Sequence, residues 1–451
     1  EWSLKRNDSI KEIDFPFDKY RKGQRKLAVA VYKTIVQNKK IFVQAPTGIG
    51  KTISTLFPTI KALGEGHTSK IFYLTAKTIT RQVAEEAIFI MKEKGLEFKS
   101  LTITSKEKIC FCEEVKCNPE SCMYAEGHFD RINDGIKAVL EHEDIITRQV
   151  VEKYAQDYRV CPFELSLDLS LWVDCVICDY NYVFDPRVYL RRFFSDNKGD
   201  FTFLIDEAHN LVDRSREMYS AELNKKAFLS LKRDFSSIAP KVSKRANELN
   251  KYLLKIRKSC NDRNYYFQKE IPEDIYQCLR NFIHEVEDYI ISVKGQIPDE
   301  LLNEYFNVLA FCKIYEIYDD HFVTYGEKQG DDVRFKLFCL DPSYVLSQLI
   351  KRGKAAVFFS ATLMPLQYFR DILGGNSEDY ALRLSSPFDK SNLCLQIANN
   401  ISTKYRNRES SYAVIAKYID TIIKGKEGNY LVFFPSYKYM NDVVSKFKEQ
   451  Y

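Results

Sequence analysis

The sequence predicts an α/β fold: a parallel sheet with helices on both faces, interrupted by two long inserted segments. Three observations predict it. First, Ile41-Phe42-Val43-Gln44, Ile71-Phe72-Tyr73-Leu74, 201–205 and Val357-Phe358-Phe359 are continuously apolar runs, the pattern of strands buried on both faces. Second, each run ends in polar or small residues: Ala45-Pro46-Thr47-Gly48, Thr75-Ala76-Lys77, Asp206 and Ser360. Third, helical patterns lie between the runs, over 53–63 and 79–94 for example. In such an open sheet ligands gather at the carboxyl ends of the strands, where these polar residues stand.

The chain has 451 residues, and at roughly 150 residues per domain about three domains are expected. Lys+Arg number 67 against 62 Asp+Glu. A net charge this small permits nucleic-acid binding only through a local basic face. No apolar run reaches the roughly 18–20 residues of a membrane span, and no secretory leader is visible. A cytoplasmic protein is expected. Residue 1 is Glu rather than Met, so a preceding portion is expected.

Element by element, the first strand runs into Ala45-Pro46-Thr47-Gly48-Ile49-Gly50-Lys51-Thr52, followed by a helix. Gly48 and Gly50 let backbone N–H groups approach phosphate oxygens around Ile49. Lys51 is placed to neutralise the β- and γ-phosphates of ATP and Thr52 to ligate Mg²⁺. The helix N-terminus adds a favourable dipole. A plain glycine turn is the bland alternative, and Gly-Lys-Thr between strand and helix argues against it. Asp206-Glu207-Ala208-His209 ends the strand at 201–205. Asp206 is placed to hold Mg²⁺ and Glu207 to orient and deprotonate water, the two roles hydrolysis needs. An isolated Asp-Glu pair would be surface noise, but this one follows an apolar strand downstream of a phosphate loop.

The first inserted segment, from about 106 to 184, holds Cys110, Cys112, Cys117 and Cys122, with Cys161 beyond them. Without a secretory context a metal site explains this cluster better than disulfides. Four cysteines suit either a [4Fe–4S] cluster or a zinc ion. The set lacks the two tight pairs usual for zinc, which leans towards iron–sulfur. Cys175 and Cys178 read as small buried hydrophobes in an apolar strand, beside a strand-like stretch over 176–186, and the remaining single cysteines read as core residues. The second segment, 212–342, looks helical. Leu249/Tyr252/Leu253/Ile256, Leu279/Phe282/Ile283/Val286/Ile290 and Leu302/Tyr305/Phe306/Leu309 each mark an apolar helix face. Between Lys225 and Lys258 eleven Lys/Arg stand against Asp234 and Glu248, a solvated face or a phosphate-binding one. Another buried strand is expected at 429–435.

Taken in order, these motifs resemble the XPD/DinG family of superfamily 2 helicases. Phe15-Pro16-Phe17 and Tyr20-Arg21-Lys22-Gly23-Gln24 resemble the adenine-recognition motif, 45–52 motif I, and Thr75-Ala76-Lys77-Thr78 with Arg81 the DNA-touching motif Ia. The sequence 206–209 resembles the DEAH box, Ser360-Ala361-Thr362 motif III and 431–437 motif IV. The resemblance implies a RecA-like motor domain in 1–105, 185–211 and 343–400, an iron–sulfur domain in 106–184, a helical Arch domain in 212–342, and the start of a second RecA-like domain in 401–451.

The resemblance further implies a [4Fe–4S] cluster on Cys110, Cys117, Cys122 and Cys161, with Cys112 a rival for the first place. It implies Gln24 as an ATP-binding residue, Thr75, Lys77 and Arg81 on DNA, and His209, Ser360 and Thr362 coupling nucleotide state to DNA contact. The implied activity is ATP-dependent translocation on single-stranded DNA, 5′ to 3′, with unwinding at duplex junctions by a monomer serving DNA repair. The motif with the later catalytic arginines is not seen before Tyr451, so impaired hydrolysis is expected of residues 1–451. A nuclease-associated relative and a non-unwinding ATP switch with a zinc module are the alternatives.

Overall fold

In a computed structural model, which describes residues 2–115, 117–195, 199–260, 264–293 and 297–451, the chain forms two units that divide between Pro387 and Phe388. The sequence had suggested 400/401.

The first unit is built on an eight-stranded parallel sheet. Its strands are β1 (Lys40–Gln44), β2 (Lys70–Leu74), β3 (Ser100–Thr102), β4 (Ile145–Ile146), β5 (Cys175–Cys178) and β6 (Phe201–Asp206). Strands β7 (Ala221–Asn224), β8 (Tyr265–Gln268), β9 (Phe322–Gln329) and β10 (Asp332–Cys339) form a second sheet, and β11 (Ala355–Ser360) and β12 (Tyr380–Arg383) return to the first. The large sheet runs β12-β1-β11-β6-β2-β5-β3-β4. Pairing aligns Gln44 with Ser360, Phe359 with Asp206 and Leu74 with Ile205. Four carboxyl ends therefore finish side by side.

Alternate residues of these strands enter two cores, one on each face. Phe42, Phe72, Phe203, Ile205 and Phe358 pack on one, and Ile41, Val43, Tyr73, Leu204, Val357 and Phe359 on the other. Burial on both faces is why the sequence shows continuous rather than alternating apolarity.

The segment 106–184 is woven into this sheet. β4 pairs with β3, and β5 lies between β2 and β3. The strand expected over 176–186 stops at Cys178. The Asp179 carboxylate accepts the Asn181 N–H at 3.1 Å, which starts a short helix, Asn181–Phe184.

The segment 212–342 is not purely helical. Helices Lys225–Asp234, Pro240–Ser259, Glu273–Ser292 and Asp299–Glu316 pack with the antiparallel sheet β7-β10-β9-β8. Its hairpin alternates in burial, with Val333, Phe335, Leu337 and Cys339 inward. Gly326 on β9 lets helix Pro240–Ser259 come close, since a Cβ there would lie 2.7 Å from Ile256 Cγ2. In helix Asp299–Glu316 the buried face is Leu301, Glu304, Val308 and Phe311. The expected Leu302/Phe306 face is one position off, and Phe306 is 59% exposed.

The second unit contains helices Arg408–Gly425 and Tyr437–Gln450, joined where the Ser411 and Tyr439 hydroxyls bond at 2.6 Å. The strand expected at 429–435 is absent, and Leu431 and Phe433 are 79% and 84% exposed. Backbone extends into a stable strand only against a partner ladder, and this unit has no strand among its described residues.

Candidate functional site

At the aligned strand ends β1 leads into a turn where Gly48 and Gly50 take φ of +89° and +79°, a conformation that favours glycine. Ile49 is buried between them. Gln24 packs on this turn from helix Gln24–Val36. Its Nε2 would stand 2.7 Å from a Cβ at Gly50, and its Oε1 accepts the Arg21 N–H at 2.9 Å. The Arg21 guanidinium donates to the Gly48 carbonyl at 3.0 Å. Phe15 and Tyr20 stack nearby, ring centroids 4.0 Å apart.

Lys51 opens helix Lys51–Gly64 and its Nζ lies 3.7 Å from Glu207 Oε1. Asp206, at the end of β6, is 3% exposed. Its Oδ1 accepts the Glu207 N–H at 2.8 Å and its Oδ2 the Tyr73 hydroxyl at 2.7 Å. Burial raises its carboxyl to about 6, with the neighbouring Glu207 charge adding to the effect. Glu207 takes φ +47°, which costs a non-glycine residue on the order of 1 kcal/mol. The Tyr180 hydroxyl fastens this turn by donating to the carbonyls of Asp206 and Glu207.

Glu207 also faces β11. Its Oε2 accepts the Ser360 hydroxyl at 3.0 Å, and His209 Nδ1 meets that hydroxyl at 2.7 Å. The Thr362 N–H donates to Ser360 Oγ at 3.3 Å. Burial lowers the His209 pKa, which favours a neutral ring. Lys51, Glu207, His209, Ser360 and Thr362, far apart in sequence, thus join in one polar network. It holds a cation against a carboxylate, and a carboxylate against a hydroxyl that contacts a histidine.

The residues of 75–81 read as contacting DNA are divided. Thr75 is buried and bonds Thr80, Lys77 is exposed, and Arg81 pairs with Asp179 at 3.5 Å. Arg81 lines a groove of about 710 Å³ with Lys106, Lys108, Arg187, Arg191, Arg192 and Arg214. Sequence reasoning missed the 187–192 cations. The dense Arg content after Pro186 was the available signal.

Cys110, Cys112, Cys117, Cys122 and Cys161 all line one cavity of about 390 Å³, together with His128, Lys106 and Phe163. Cys112 Sγ lies 3.8 Å from Cys122 Sγ, and burial together with its thiol neighbours pushes the Cys112 thiol up to about 11. Among the described residues no three His, Cys, Asp or Glu side chains are disposed to hold one metal ion. The donor chemistry nevertheless fits a thiolate-bound group, with five thiols facing a single space. Cys175 and Cys178 are buried in β5, as read from sequence, whereas Cys394 is exposed rather than in a core. No helix among the described residues is long and apolar enough to cross a membrane.

A parallel sheet whose strand ends gather a glycine turn leading into Lys51, an Asp-Glu pair and a Ser-His contact has the layout of a class, the RecA-like α/β folds. Comparison with known proteins agrees. Residues 75–228 match the DEAD_2 family model. The ATP-dependent DNA helicase XPD of Sulfolobus acidocaldarius is 24% identical over 95% of this chain and 74% of its own length. The general transcription and DNA repair factor IIH helicase subunit XPD/RAD3 of Saccharomyces cerevisiae is 21% identical over 96% and 70%. A solved XPD helicase structure superposes with a TM-score of 0.58 at 20% identity, over 95% of this chain and 75% of that one. S. tokodaii Xpd4 gives 0.55 at 14% identity, over 94% and 73%. These similarities are to XPD helicases in sequence and to XPD structures in fold.

Proposed function

We propose that this chain is the motor of an ATP-dependent DNA helicase that moves 5′ to 3′ on single-stranded DNA and opens duplex junctions. The observation that carries the reading is the network joining Lys51, Glu207, Ser360 and His209 beside the buried Asp206. Backbone N–H groups of 48–52 and Lys51 bind the phosphates. Gln24 contacts the base. Glu207 orients water and takes its proton, and the Ser360–His209 contact reports nucleotide state to the DNA-facing side. Thr52 and Asp206 would hold Mg²⁺, which when bound neutralises phosphate charge. Cys117, Cys122 and Cys161, with Cys110 or Cys112, would hold a [4Fe–4S] cluster that fixes the fold of the cavity walls. The Arg- and Lys-lined groove and exposed cations such as Lys241, Lys244, Lys251 and Lys255 supply a phosphate-binding surface. Both curated relatives carry the word helicase in their names.

The test is ATP hydrolysis by the full-length protein with and without single-stranded DNA, alongside iron and acid-labile sulfide content after anaerobic purification. Stimulation by DNA that Lys51→Ala abolishes, with about four iron and four sulfide per chain, is expected. Unstimulated or absent hydrolysis refutes the motor. About one zinc without sulfide refutes the cluster and leaves the motor standing.

A further inference from the structure

Tyr73 belongs to none of the motifs above, yet its hydroxyl bonds the Asp206 carboxylate. β2 and β6 pair with Tyr73 opposite Leu204. Side chains alternate along a strand, so Asp206, two residues beyond Leu204, shares a sheet face with Tyr73 one diagonal step away. Tyr73 is fully buried. Its hydroxyl donates to Asp206 Oδ2 at 2.7 Å. Asp206 Oδ1 accepts the Glu207 N–H. Each carboxylate oxygen therefore has one protein donor, and the carboxyl cannot turn without losing one.

The interior of β2 has no need of a phenol for packing. Phe72 fills the opposite core as a plain ring, and a buried hydroxyl is costly unless bonded. The Tyr73 hydroxyl is accounted for by the Asp206 carboxylate it bonds from the neighbouring strand.

We infer that Tyr73 is a positioning residue for nucleotide hydrolysis, its hydroxyl fixing the orientation of the Asp206 carboxylate. The inference rests on the reading of 45–52 and Asp206 as the ATP and metal site. Tyr73 acts through the Asp206 side chain that it bonds. Partners that orient metal ligands typically cost about 10–100-fold in metal affinity when removed.

The test is Tyr73→Phe in the full-length protein, which keeps the ring and removes one oxygen. Mn²⁺ binding in the presence of a non-hydrolysable ATP analogue is followed by electron paramagnetic resonance. It is accompanied by analogue binding in EDTA, by kcat and KM for ATP, and by the unfolding temperature. Mn²⁺ affinity is expected to fall about tenfold, with a fall in kcat that excess metal partly restores. Metal-free nucleotide binding and unfolding temperature are expected to stay at wild-type values. Wild-type Mn²⁺ affinity and kcat in the variant overturn the inference alone. A parallel loss of metal-free binding or a lowered unfolding temperature makes the residue merely structural and also overturns it. Absence of Mn²⁺-dependent nucleotide binding by the wild-type protein overturns both the inference and the reading beneath it.

Discussion

At the residue scale the site is held in a costly state. Asp206 is buried with its carboxyl raised from 3.8 to about 6, so the folded chain binds that proton more tightly than the unfolded chain. Stability from this group is greatest below about pH 4, falls as pH rises to about 6, and stays reduced above. At neutral pH the charged carboxylate thus costs on the order of 1–3 kcal/mol. Asp206→Asn should raise the unfolding temperature of the nucleotide-free protein at pH 7.5 while abolishing hydrolysis, and should flatten the pH dependence of stability between 4 and 6. The Tyr73 hydroxyl can turn to accept from the new amide, so packing is kept. An unfolding temperature at or below wild type in a melting scan would contradict this. The residue types of the proposed site could be named from sequence because phosphate and water chemistry would demand them at fixed spacing. Tyr73 and Tyr180 could not, because a tyrosine in an apolar run looks like core until the neighbouring strand is known.

At the scale of elements, legibility followed the period of the pattern. Runs such as 41–44 and 71–74 declared themselves because two-sided burial leaves no polar position. The β9–β10 hairpin carried its period-two signal at Val333, Phe335, Leu337 and Cys339, but it was lost among strong helical neighbours. Helix Asp299–Glu316 misled by one residue because Glu304 occupies its buried face. Burial raises the pKa of that carboxyl, and its partner is Asn307 Nδ2 at 3.2 Å. Asn307 is itself exposed, so it keeps water if the partner is lost. Glu304→Leu should therefore stabilise the protein by about 1 kcal/mol, the desolvation cost of the acid being removed. Denaturant midpoints of the two proteins decide the matter, and a lower midpoint for the variant would show that Glu304 is needed where it stands.

For the whole molecule, a net charge of +5 conceals how unevenly the cations are placed. Sequence counting found the run 225–258 but not the groove, because Arg81, Lys106 and Arg187–Arg192 meet only after β5 enters the sheet. If the groove follows a phosphate backbone, Arg191→Ala/Arg192→Ala should weaken single-stranded DNA binding uniformly across sequences. The slope of log affinity against log salt should become shallower by about 1.4, from two lost phosphate contacts. Filter binding at several salt concentrations measures it, and an unchanged slope would place DNA elsewhere. The strand order has one more consequence, in time rather than in space. β1, which leads into the glycine turn before Lys51, ends at Gln44, and its two neighbours in the sheet begin at Ala355 and Tyr380. A ribosome adding roughly 5–20 residues per second leaves Ile41-Phe42-Val43 without a strand partner for tens of seconds. Any nascent chain halted before residue 355 carries an open apolar edge of the kind that aggregates, so the proposed nucleotide pocket is among the last parts of the molecule to be born.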